Sequence, residues 1–394
     1  MNTTIKLPIS SVSSTPQVAS QRKEVPVRVL VVGQTPPPLV GQWIMIEKML
    51  SGNYTDVELM HVRMAFSTQV NQIGRFSLAK SFHLIGVILR IWYARFRYGI
   101  DVLYYPPAGP NRLPVYRDII ILLMTRWIFK SVVFHFHAGG VSSLYPKLPR
   151  QVKPFFRLAY HGAEIGIRLT RRNPDDCSAL KTVHDIIIPN GVDDLYDQFA
   201  KERPVNAVPE ILFVGMVCES KGVFILLDAC RQLKERGMAF RLRLVGSPDS
   251  KATTSAIDKF VADHNLGDNV LISGVLSKGD KWDAFASADI FCLPTHYVSE
   301  SFGLVMVEAM QFELPVVATD WRGISTIVND KETGYLVPTH DSDAVADKLA
   351  HLIQNPELAR QMGKRGRERF LADYTIEKFY ENIQHAFCVA AGKG

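Results

Sequence analysis

The stretch Glu300-Ser-Phe-Gly-Leu-Val-Met-Val-Glu308 places two carboxylates eight positions apart, with a glycine and an apolar run between them. The run from Leu304 to Met310 reads as a buried helix. Upstream, Asp289-Ile-Phe-Cys-Leu-Pro294 reads as a short buried strand. The order is therefore strand, loop with Glu300, helix with Glu308. A helix N-terminus offers unpaired backbone N–H groups and a partial positive charge, and both suit a phosphate. Glu308, one to two turns in, can accept hydrogen bonds from hydroxyls of the same ligand. The pattern points to a site for a phosphorylated sugar or a nucleotide. Spacing alone also fits two solvated surface carboxylates, so the surrounding chain has to decide.

On both sides of this stretch, strand and helix patterns alternate. Strands are expected at 211–215, 242–246, 270–274, 290–294, 315–319 and 335–337, and helices at 224–236, 255–264, 282–286, 304–312 and 344–354. The first half repeats the pattern. Val27-Arg-Val-Leu-Val-Val-Gly33 is a buried strand, followed by the Pro-rich loop Gln34 to Gln42 and a helix over 43–50. Further strands are expected at 57–64, 102–105, 132–137, 165–169 and 186–189. Such alternation implies parallel sheets covered on both faces. No G-x-G-x-x-G follows the first strand, which argues against a nicotinamide or flavin fingerprint.

Three segments together, Pro294…Glu300-x-Phe-Gly…Glu308-Ala-Met, Leu314-Pro-Val-Val-Ala-Thr and Gly334-Tyr-Leu-Val, resemble the retaining GT-B glycosyltransferases of family four. There the two glutamates form the E-x7-E motif. The resemblance is most specific from Ile211 to Val337 and weak before Asn190. It implies an α/β chain with two Rossmann-like domains facing across a cleft and a C-terminal helix crossing back to the first. The expected organisation is a flexible tail over 1–24, an acceptor domain over 25–192, a linker over 193–209, a nucleotide-sugar domain over 210–372, and a crossover helix with a short tail over 373–394.

The resemblance assigns roles residue by residue. Glu300 would contact the transferred sugar and Glu308 the ribose hydroxyls. Gly215-Met-Val-Cys-Glu-Ser-Lys221 matches a diphosphate loop in which a cation follows the glycine. Here Met216 takes that place, which leaves Lys221 and the N–H groups at Gly303 and Leu304. Arg322 is the candidate replacement for the missing cation. Gly41 and Gln42 match the loop near the acceptor and the phosphates. His137 ends an apolar strand, where a polar side chain points into the ligand crevice. His135 lies on the same face by strand period. Asp341-Ser-Asp343 precedes a helical pattern and fits N-capping better than metal binding. No His/Cys/Glu cluster has metal-ligand spacing. No metal and no cofactor are expected, with the nucleotide-diphosphate sugar as substrate.

The expected activity is transfer of a hexose from that donor to an acceptor hydroxyl on a glycan or lipid-linked sugar, with retention, in surface polysaccharide or glycolipid assembly. Two other readings stay open: a nucleotide-sugar epimerase of the same architecture, and a non-catalytic sugar-nucleotide-binding subunit. The 394 residues, 47% of them hydrophobic and 21% charged, describe an ordinary globular chain of two or three domains. A net charge of +6 favours anionic partners. No Lys/Arg run or nucleic-acid motif is present, so no nucleic acid is expected. The five cysteines form no C-x-x-C pair and read as reduced thiols. No apolar run reaches the roughly 18–20 residues that span a bilayer, and no secretory signal is visible. The expected location is the cytoplasm, with peripheral contact at the inner face of the membrane. The stretch Lys80–Tyr98, which mixes Arg90, Arg95 and Arg97 with Phe82, Ile85, Ile88, Ile91, Trp92 and Phe96, is the candidate anionic-membrane surface.

Overall fold

The two halves of the chain each close into a six-stranded parallel sheet. The computed structural model describes residues 25–37, 41–65, 78–200, 206–298 and 300–393. The expected tail over 1–24, residues 38–40 of the Pro-rich loop and residues 201–205 of the expected linker lie outside them.

The first sheet contains β1 (Val27–Gly33), β2 (Val57–Arg63), β3 (Val102–Tyr105), β4 (Ser131–Phe136), β5 (Ile165–Arg168) and β6 (His184–Ile187), in the order β2-β1-β3-β4-β5-β6. The helices between them are α1 (Gly41–Ser51), α2 (Leu78–Tyr98), α3 (Arg112–Thr125), α4 (Lys153–Tyr160) and the short α5 (Asp176–Ala179). The strands are apolar on both sides, and each side buries its own core. Leu30, Val32, Leu103, Tyr105, Phe134 and Phe136 face α2, α3 and α4. Val29, Val31, Tyr104 and Val133 face α1 and the C-terminal helix.

The expected linker is not a plain connector, because Tyr196–Phe199 forms a helical turn (α6) and packs on the second core. Then come β7 (Glu210–Val214), α7 (Val223–Glu235), β8 (Arg241–Val245), α8 (Lys251–Asp263), β9 (Val270–Gly274), α9 (Lys278–Ser287), β10 (Ile290–Leu293), α10 (Leu304–Gln311), β11 (Val316–Thr319), β12 (Gly334–Val337), α11 (Ser342–Gln354) and α12 (Pro356–Asp373). The sheet order is β12-β11-β10-β7-β8-β9.

Several local readings need correcting. Helix α8 starts at Lys251 rather than Ser255, because the Ser250 side chain caps it by accepting from Thr253 N. The sixth strand runs two residues earlier than expected, over His184–Ile187. Helix α9 starts at Lys278 rather than Trp282, because the Ser277 side chain caps it by accepting from Asp280 N. Helix α12 was not expected at all. Its apolar positions are sparse, but Ala359, Met362 and Phe370 are buried, and Gly363 lets its backbone sit against Glu313. The Asp341 side chain caps α11 by accepting from Ala344 N, as the N-capping reading held.

The last helix, α13 (Ile376–Ala390), crosses back and buries Phe379, Ile383, Ala386 and Phe387 in the first domain. The two crossings run side by side: Ile376 N donates to Val192 O at 3.0 Å, and Val192 N to Tyr374 O at 2.9 Å.

Strand order reverses between β1 and β3 in the first sheet and between β7 and β10 in the second. Ligands of open parallel sheets bind outside the carboxyl ends of strands at such reversal points. The loops at those ends meet each other here. A Cβ on Gly41 would lie 3.7 Å from Leu304, so the head of α1 faces the head of α10. Arg172 pairs with Asp320 and donates to Ser325 Oγ at 2.7 Å. Both partners of that ion pair are more than half exposed, so it contributes at most about 1 kcal/mol.

Candidate functional site

The second sheet supplies most of the site. Gly215 follows β7, and the chain turns through Met216, which is exposed, to the short helical turn Glu219–Lys221. Gly222 then has φ 81°, and a Cβ there would lie 2.1 Å from Pro294 O. Only glycine permits that approach. It presses the Lys221 loop onto the end of β10 at the reversal point. There Lys221 Nζ makes an ion pair with Glu300. The ammonium also lies 5.0 Å from the Tyr297 ring centre. Gly303, at φ 79°, opens α10, and Leu304 is the first residue of that helix. The sequence-predicted Lys221 and Glu300 therefore come together, with Gly303 and Leu304 following Glu300 at the head of α10 and Gly215 opening the loop that carries Lys221.

Glu308 points to α9, where Lys281 Nζ approaches its Oε2 at 2.7 Å. Lys281 also lies over the Trp282 ring, 4.5 Å from its centre. Sequence reasoning missed this lysine because the expected helix began one residue later. The first-turn position after Ser277 was the available signal.

Arg322 is held by its neighbours rather than by an acid. Its guanidinium lies 5.5 Å from the Trp321 ring centre, and Trp321 Nε1 donates to Tyr297 O at 2.9 Å. The next residue, Gly323, is so close to the Glu300 loop that a Cβ would fall 2.1 Å from Ser301 O. Arg322 thus starts beside the carboxylate loop, with no acidic partner found among the described residues.

The first domain contributes from several loops. Gln42 follows Gly41 at the head of α1 and is half-buried. His137 stands just after β4 and is nearly buried. The loop behind it is fixed by the buried Asp176 carboxylate, which accepts from Gly140 N, from Ser142 N at 2.8 Å and from Ser142 Oγ at 2.6 Å. Asn173, buried between the domains, joins the halves. Its amide reaches within 3.7 Å of a Cβ on Gly139 and 2.9 Å of one on Gly323. Sequence reasoning gave no signal for Asn173.

His137 and His135 stack, with ring centres 3.8 Å apart. The Tyr104 hydroxyl lies between them, 3.2 Å from His137 Nε2 and 2.9 Å from His135 Nδ1. Burial pulls His137 down to about 3 and holds His135 well below the ordinary imidazole range. It also holds the Tyr104 phenol well above its ordinary value. All three groups are neutral at pH 7.

Residues 197–369 match the family model of glycosyl transferases group 1. The match covers the second domain, less than half of the chain. A phosphatidyl-myo-inositol mannosyltransferase of Mycobacterium leprae is 34% identical over 190 residues, which cover 47% of this chain and 46% of that one. The capsular polysaccharide biosynthesis glycosyltransferase CapM of Staphylococcus aureus is 28% identical over 176 residues, 44% of each chain. The matched stretch thus spans under half the length of these curated relatives. Solved structures extend the likeness to the fold of both domains. Sucrose-phosphate synthase from Thermosynechococcus elongatus superposes with a TM-score of 0.68 at 20% identity, covering 93% of this chain and all of that one. Anabaena HepE, in complex with UDP and glucose, gives 0.67 at 18%, over 92% and 100% of the two chains. The fold is GT-B.

Proposed function

We propose that this chain is a group 1 glycosyltransferase, a retaining enzyme that moves a hexose from a nucleotide-diphosphate sugar to an acceptor hydroxyl during surface polysaccharide or glycolipid assembly. The observation that carries this reading is the meeting of Lys221, Glu300 and the head of α10 at the strand-order reversal of the second sheet, with Gly41 facing it. Charge builds on the departing diphosphate as the sugar becomes oxocarbenium-like, and fixed donors stabilise it without rearranging. Lys221, the Gly303 and Leu304 N–H groups and Arg322 hold the phosphates. Glu308, aligned by Lys281, takes the ribose hydroxyls. Glu300 and His137 meet the transferred sugar. No metal and no cofactor enter this scheme. The mannosyltransferase and capsular relatives support a lipid or glycan acceptor.

The decisive experiment separates the two glutamates. A thermal-shift panel of nucleoside diphosphates first selects the base. Then Glu308→Gln should weaken binding of that diphosphate about tenfold, the loss of one charge-assisted contact. Glu300→Gln should lower kcat about a hundredfold and leave diphosphate affinity nearly intact. The reverse pattern overturns the assignment, and conversion of donor without acceptor would indicate an epimerase.

The acceptor side of the reading includes an anionic membrane surface. Helices α2, α3 and α4 lie side by side over one face of the first sheet, joined by Trp92 Nε1 to Met124 O and Arg126 to Ala159 O. Their outer faces, with the turn that follows α3, expose Phe82, Leu89, Phe96, Met124, Trp127 and Phe155. The only acid in these three helices is Asp118, which is fully buried, whereas Arg90, Arg97, Lys153 and Arg157 are present. An apolar face with a purely basic rim matches an anionic bilayer. No described helix is long and apolar enough to cross one. The protein should sediment with phosphatidylglycerol vesicles at low salt and be released as salt rises. Equal recovery in the supernatant with and without vesicles would remove this surface from the proposal.

A further inference from the structure

The buried Tyr104–histidine cluster carries more than the placement of one side chain. A phenol hydroxyl owns one hydrogen, yet Tyr104 Oη has two imidazole nitrogens within reach. With both rings neutral, one nitrogen must accept from Tyr104 and the other must donate to it. The two tautomers are therefore linked.

The direction follows from His135. Its ring is fully buried, its Nδ1 faces Tyr104, and its Nε2 has no partner among the described residues. A proton on Nε2 would leave a buried N–H unpaired, which is rarer and less tolerated than an acceptor left bare. His135 therefore carries its proton on Nδ1 and donates it to Tyr104. The single hydrogen of Tyr104 then goes to His137 Nε2, and the proton of His137 sits on Nδ1.

We propose that Tyr104 is a positioning residue that holds His137 as the Nδ1–H tautomer, so that His137 meets a ligand in the cleft as a hydrogen-bond donor and not as a base. The role given to this donor, contact with a hydroxyl of the transferred sugar, rests on the function proposed above. The tautomer itself does not.

The fold is built to keep this arrangement. Tyr104 and His135 sit on neighbouring parallel strands, with Tyr104 paired to Val133 in the register of β3 and β4. Tyr104 meets the His135 ring edge-on at 5.8 Å. On its other side it meets Phe387 of α13 edge-on, also at 5.8 Å. The crossover helix thus seals the cluster from water, which would otherwise supply competing donors and uncouple the two rings. His137 alone of the two retains slight exposure, at 7%.

The test uses the full chain with 15N-labelled histidine. Ring-nitrogen shifts report directly which nitrogen carries the proton. In the unaltered protein at pH 7, His137 should show a protonated Nδ1 and a hydrogen-bonded bare Nε2, with His135 protonated at Nδ1. Tyr104→Phe should move His137 toward the Nε2–H form that free imidazole side chains prefer. It should also lower turnover of UDP-glucose or GDP-mannose, whichever is used, about tenfold, the worth of one neutral hydrogen bond. Donor KM should change little, whereas a merely structural loss would not shift the tautomer. An Nε2–H His137 in the unaltered protein overturns the proposal even if Tyr104→Phe fails to fold. So does a tautomer unchanged in a folded Tyr104→Phe. If the Nδ1–H form is found and shifts as expected but neither donor is turned over, the relay stands and the transferase reading fails.

Discussion

The two sheets have the same strand number and the same parallel sense, yet they contribute to the site differently. The second sheet offers charged groups close to the surface of the cleft: Lys221 with Glu300, and Lys281 with Glu308. The first offers neutral groups buried under a helix: Tyr104, His135 and His137. The diphosphate site of the proposed function needs cations and backbone N–H groups, which the loop after β7 and the head of α10 offer over short stretches of chain. The sugar contact proposed for His137 needs a fixed neutral donor. That requires burial, and burial draws on β3, β4 and α13 at once.

Acid should break this comparison most visibly. His137 and His135 are held below their ordinary range in the fold, so the unfolded chain binds more protons as pH falls. Their burial is free of penalty above about pH 6.5 and costs progressively more as pH falls toward the folded value of about 3 for His137. Each histidine weakens the fold by up to about 1.4 kcal/mol per pH unit in that window. Hydrogen exchange between pH 7 and pH 5 should therefore lose protection in β3 and β4 before β7 and β10. Loss in the second sheet first would contradict the contrast. His135→Asn with His137→Asn should flatten the acid response.

The next effect belongs to the join between the domains. Gly323→Ala sets a methyl group against Ser301 O and the Asn173 amide, and backbone on one side cannot give way. It should destabilise by about 3 kcal/mol, as severe packing substitutions do, and it should weaken nucleoside diphosphate binding by displacing the Glu300 loop. Urea unfolding and calorimetry measure the two losses. Retained affinity would mean that the Glu300 loop is positioned without Gly323.

The smallest effect sharpens the contrast from the other side. Gly86, within α2, has nothing within 4 Å of a Cβ among the described residues. Gly86→Ala should stabilise the first domain by about 0.5–1 kcal/mol, since glycine is the costlier residue inside a helix. Urea unfolding should show the gain with unchanged nucleotide affinity. A loss of stability would show that the α2 face is packed more tightly than its exposure indicates.

Much of this molecule was readable before any fold was known. Strand and helix alternation follows from local apolar patterning, and the groups proposed to face the phosphates lie within short stretches, Gly215 to Lys221 and Glu300 to Glu308. The sequence therefore determined the fold class, the second-domain motif and the aromatic, basic character of α2. Helix α12 escaped because its few buried positions, Ala359, Met362 and Phe370, sit among charged residues and gain their burial only from neighbours. Tertiary structure alone decided what depends on residues far apart in the chain: that Lys221 pairs with Glu300 and Lys281 with Glu308, that Asn173 touches both domains, and that Tyr104 lies between two histidines beneath α13. The physical reason is that hydrogen bonds and ion pairs are set by distances in space. Periodicity states which face a side chain occupies and is silent about which distant face will be laid against it.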